Sequence, residues 1–88
     1  MSSFKERYEA IQERYIREIV NAHINDILVA SLTKEGFRKL KEMNLDAENL
    51  LREIYDSDEL TSDERMDLTD RVTRLNRAIR NDLFLLRD

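Results

Sequence analysis

Apolar residues recur at spacings of three and four almost from the start of this chain. Phe4, Tyr8, Ile11, Tyr15, Ile19 and Ala22 succeed one another at four, three, four, four and three. That is one helical stripe. Ser3 and Glu6 stand at capping-box spacing ahead of it, which marks a helix start. From Ile16 a second set, Ile16, Val20 and Ile27, occupies a different face. A helix apolar on two sides is either central in its own core or shared with a second chain. Nothing interrupts the pattern before Ser31, so the spacing predicts a long helix over about 4–30, roughly 40 Å at 1.5 Å per residue.

Cap chemistry then predicts two short helices. Thr33 is a favourable N-cap, and Leu32 and Phe37 hold the two positions of a hydrophobic staple. A helix over about 34–43 would carry Phe37, Leu40 and Met43 inward. In "NLDAENLL", Asn44 would end that helix and Asp46 would cap the next, with Leu45 and Leu50 as its staple. This second short helix would cover about 47–55.

The stretch "YDSDELTSDERMD", residues 55–67, opens much as a calcium loop does. Such a loop needs an oxygen ligand at position 5, Gly at 6 and Glu at 12. Counted from Asp56, those positions hold Leu60, Thr61 and Asp67. Thr61 with Glu64 instead spells a capping box, and the surrounding acids suit the positive end of a helix dipole. The last helix, over about 62–86, presents Leu68, Val72, Leu75, Ile79, Leu83 and Leu86 as one stripe. The expected architecture is all-α: a compact bundle of three to four helices, two long and two short, forming one domain over residues 1–88.

Composition agrees with helix. The chain is 41% hydrophobic and 39% charged, with one glycine (Gly36) and no proline, the residues on which tight turns depend. Its 88 residues bury only a modest core, which favours a partner or self-association. The absence of cysteine excludes disulfides, thiolate zinc sites and thiol nucleophiles. The segment "MSSFKERYEAIQERY" has no apolar signal core, and no run approaches a membrane span. A cytoplasmic protein is expected.

Catalytic motifs are absent. His23 is the one histidine, and only Asp26 stands at helical spacing to it, so a semi-buried structural role is expected. There is no Gly-rich phosphate loop, no G-x-S-x-G and no H-E-x-x-H. The expectation is a non-enzyme with no cofactor and no metal.

Charge is segregated along the last helix. Residues 56–70 hold seven acids and one base, a local net of −6, whereas 71–81 hold Arg71, Arg74, Arg77 and Arg80 and no acid. This arrangement complements the helix dipole. It also suits two copies of the helix pairing antiparallel, acidic half against basic half. An arginine row that meets nucleic acid is a disfavoured alternative, because the net charge is −4 and the pI near 5.0. A helix-turn-helix over the two short helices fares no better, since its recognition helix would begin Asp46-Ala-Glu48. A third alternative is an acidic decoy, a nucleic-acid mimic of bacteriophage type that blocks a basic groove on a host enzyme. Charge reversal of Asp63, Asp67 and Asp70 should then abolish function, while truncation after Asn81 should not.

"NDLFLLRD" places Leu83, Phe84, Leu85 and Leu86 in a row that one helical face cannot hide. Either Phe84 and Leu85 fold back on the first helix, or they form a patch that docks a partner. The pattern therefore predicts a small protein–protein interaction module: a regulator, inhibitor or assembly factor, as a homodimer. Its expected contact surfaces are Ile16, Val20 and Ile27, and the run Leu83, Phe84, Leu85 and Leu86. Arg71, Arg74, Arg77 and Arg80 would tune specificity and association rate.

Overall fold

The computed structural model describes residues 3–21 and 29–85, with side chains over 3–21 and 35–84. Among the described residues there are three α-helices: α1 (Phe4–Tyr15), α2 (Val29–Asp56) and α3 (Ser62–Leu85). One π turn, Ile16–Val20, prolongs α1. No strand occurs among the described residues.

Both capping boxes form. The Ser3 hydroxyl accepts the Glu6 amide at 3.1 Å, and the Glu6 carboxylate accepts the Ser3 amide in return. At α3 the Thr61 hydroxyl accepts the Glu64 amide, and the Glu64 carboxylate accepts the Thr61 amide, each at 3.1 Å. These bonds hold the Glu64 carboxyl below the usual carboxylate range. The acidic stretch is thus a short turn over 57–61 leading into a capped helix. The Arg65 guanidinium reaches back to donate to the Ser57 carbonyl and fastens that turn.

The division into two short helices is corrected by the structure. One helix runs unbroken from Val29 to Asp56, through Thr33 and through Asn44–Asp46. Leu40, Met43, Ala47, Leu50 and Ile54 alternate at three and four, and each is fully buried. Burying that stripe outweighs the cap preferences of one Asn and one Asp, which are worth about 1 kcal/mol each. Leu45, expected in a staple, is 57% exposed. The expected boundary near 30–34 falls inside the same helix.

Packing places α1 across an α2–α3 hairpin. Toward the open end of the hairpin, Ile19, Leu40, Met43, Leu75 and Ile79 form one core cluster, flanked by Tyr8, Ile11, Tyr15 and Leu83. Toward the turn, Ala47, Leu50, Ile54, Leu68 and Val72 form the other, flanked by Phe4, Leu51 and Leu60. Ion pairs Arg7–Glu53 (2.6 Å), Arg14–Glu42 (2.9 Å) and Lys39–Glu18 (3.4 Å) set α1 antiparallel to α2. Over the described residues the expected stripes form, from Phe4 to Ile19 and from Leu68 to Leu83, and α3 begins at Ser62 as expected, while Ala22 and Leu86 lie outside the described residues.

Candidate interaction surface

At the end of α1 the Asn21 amide bonds to the Ile16 carbonyl, the i to i+5 bond of a π turn. Such a turn inserts one residue into the helical count and rotates the residues beyond it about the axis. Ile19 lies buried in the core, while Ile16 and Val20 stand 46% and 40% exposed on the outside. The two-faced apolarity of this segment thus resolves into one buried and one open face. Ile27, the third expected residue of the open face, lies outside the described residues, as do His23 and Asp26.

Next to this segment Arg14 bridges Glu18 at 2.6 Å and Glu42 at 2.9 Å. Hydrogen bonds from the guanidinium hold both carboxyls below the ordinary range. The Tyr15 hydroxyl donates to the Asp82 carboxylate. Burial first, and that hydrogen bond second, push the Tyr15 phenol well above its ordinary value.

The opposite side of the hairpin, away from α1, carries two shallow grooves between α2 and α3. One is lined by Phe37, Lys41, Leu45, Arg80, Leu83 and Phe84. The other is lined by Tyr55, Arg65, Met66, Thr69, Asp70 and Thr73. Four of the six exposed large apolar side chains among the described residues stand here: Leu45, Tyr55 (64%), Met66 (72%) and Phe84 (74%). The Lys41 ammonium sits 4.9 Å from the centre of the Phe37 ring. Asn44 Oδ1 and Thr69 Oγ1 in the groove walls, and Asn76 Oδ1 in the core, are buried without a hydrogen-bond partner among the described residues.

Of the expected C-terminal run, Leu83 is half-buried against the core and Phe84 faces solvent, so Phe84 does not fold back on α1. The side chain of Leu85 and all of Leu86 lie outside the described residues. Arg71, Arg74, Arg77 and Arg80 are all exposed. Arg71 pairs with Asp67 at 3.1 Å and Arg74 with Asp70 at 2.9 Å, one turn back in the same helix. Arg77 and Arg80 have no carboxylate within ion-pair distance among the described residues.

Sequence reasoning missed Met66 and Tyr55 as surface residues. The helical spacing of Met66 to Phe84 was the signal that could have found the first.

Among the described residues, no group of three or more His, Cys, Asp or Glu side chains could hold a metal ion. No helix among them is long and apolar enough to cross a membrane. Compared with protein families, with curated proteins and with solved structures, the chain matches none.

Proposed function

We propose that this chain is a cytoplasmic, non-enzymatic protein–protein interaction module: a small regulator, inhibitor or assembly factor that docks helix faces on a larger protein, itself as a homodimer. The observation that carries this reading is the placement of exposed apolar side chains. They line helix faces on both sides of the bundle, Ile16 and Val20 on one and Leu45, Tyr55, Met66 and Phe84 on the other. Contiguous exposed apolar surface rimmed by polar residues is what marks interaction sites on soluble proteins.

The arginine row supports the nucleic-acid alternative less well. Two of its four members are already paired within the helix, and the chain is net acidic.

Affinity capture of the tagged chain from a lysate, with and without nuclease, tests the proposal. One stoichiometric, nuclease-resistant protein partner is the expected result. A mixed set of nucleic-acid-binding proteins that disappears with nuclease would sink it.

A further inference from the structure

The outer stripe of α3 has a pattern that its arginines alone conceal. Met66, Asp70, Thr73, Arg77, Arg80 and Phe84 recur at spacings of four, three, four, three and four. That alternation has the spacing of a coiled-coil seam, and it lies on the side of α3 turned away from the inner stripe of Leu68, Val72, Leu75 and Ile79. All six residues are exposed. Read from either end, the stripe begins apolar and continues charged, with Thr73 and Arg77 at its centre. The two charged flanks differ in sign: Asp70 stands on one side, Arg77 and Arg80 on the other.

A stripe of this kind fits a reversed copy of itself. In an antiparallel seam the first position of one helix faces the last of the other. Met66 then meets Phe84, Asp70 meets Arg80, and Thr73 meets Arg77, each twice by two-fold symmetry. A parallel pairing would set Asp70 against Asp70 and Arg80 against Arg80, which is repulsive.

The α2 flank of the groove agrees. Tyr55 stands beside Met66 at the turn end, and Phe37 and Leu45 stand beside Phe84 at the open end. Lys41 adds positive charge at the Arg80 end, opposite the Asp70 end of a reversed copy. Asp70 already pairs with Arg74, but Arg74 is 77% exposed, and such a surface pair is too weak to withhold the carboxylate.

We infer that the outer face of the α2–α3 hairpin, which carries both grooves, binds the same face of a second copy of this chain, antiparallel, with Met66 of one copy on Phe84 of the other and Asp70 on Arg80. This inference rests on the interaction reading above and names the surface used for self-association. The π-turn face with Ile16 and Val20 stays outside the dimer and faces the larger partner.

Sedimentation analysis of the full chain from about 1 µM to about 1 mM tests it, since that window spans weak to moderate dimers. The wild type dimerises. Asp70→Lys and Arg80→Glu each raise the dimer dissociation constant at least about tenfold, because each sets like charges together twice. The double variant Asp70→Lys/Arg80→Glu restores it to within about threefold of the wild type, which general changes in net charge do not do. Phe84→Ser, at a solvent-facing position, weakens the dimer without altering the circular dichroism of the monomer.

A wild type that is monomeric throughout overturns the inference and leaves the groove to a helix of another protein. A dimer indifferent to the reversals but lost with Ile16→Asp overturns it too, by placing self-association on the other face. In both cases the lysate capture decides separately whether the chain docks on a larger protein.

Discussion

Tyr15 at the end of α1 donates a hydrogen bond from its hydroxyl to the Asp82 carboxylate in the last described turn of α3, 67 residues further along the chain. This bond ties the helix that precedes the π turn to the far end of the hairpin. Tyr15→Phe should lower stability by about 1 kcal/mol, the net worth of one partly buried hydrogen bond. The raised phenol also sets a pH dependence. Its folded value lies above the ordinary 10.0, so its stabilisation is complete below pH 10.0 and declines as pH rises from there toward the folded value. Chemical denaturation at a series of alkaline pH values should show this decline in the wild type and a shallower one in Tyr15→Phe. Equal slopes would mean that the bond does not form in solution.

Arg14 acts in the acid range. Its hydrogen bonds depress Glu18 and Glu42 below 4.5, so the stabilisation is present above pH 4.5 and is lost as pH falls through the folded values. Arg14→Gln should move both carboxyl titrations upward, as monitored by carbon-13 NMR. Unchanged titrations would show that α1 does not lie against α2 at this point.

The continuity of α2 has a test whose two outcomes differ in sign. If Asp46 were an N-cap, Asp46→Ala would cost about 1 kcal/mol. As an exposed residue in the interior of a helix it should instead gain roughly 0.5 kcal/mol, since alanine is the better helix former. Thermal melts of the two proteins decide between them.

Asn76 is the one buried polar side chain among the described core residues, 8% exposed, and its Oδ1 has no partner there. Asn76→Leu should raise stability by about 1–2 kcal/mol, because an unsatisfied buried amide oxygen is removed and apolar volume added. A drop in the urea midpoint would show that the amide makes a bond this arrangement does not display.

How far these features could be read in the sequence depended on the range of the force that fixes each. Capping boxes are local, and Ser3 with Glu6 and Thr61 with Glu64 form as their spacing predicts. The core-facing stripes are periodic and equally legible, half-buried from Phe4 to Tyr15 and buried at Ile19 and from Leu68 to Ile79. Asn44 and Asp46 misled because their cap preferences are local, whereas the burial of Met43, Ala47 and Leu50 is tertiary and larger.

The π turn has no local signature, though the second apolar face at Ile16 and Val20 marked its place. The outer stripe of α3 was legible in principle. Arginines three apart masked the alternation of three and four that includes Met66 and Phe84.

The most direct test is a capture comparison with three baits: the wild type, Ile16→Asp/Val20→Asp and Arg77→Glu/Arg80→Glu. A larger partner docked through the apolar π-turn face should be retained by the wild type and by the arginine variant and lost by the apolar one, with or without nuclease. Retention by the apolar variant with loss from the arginine variant, reproduced by nuclease treatment of the wild type, would contradict it and assign the function to the arginine row.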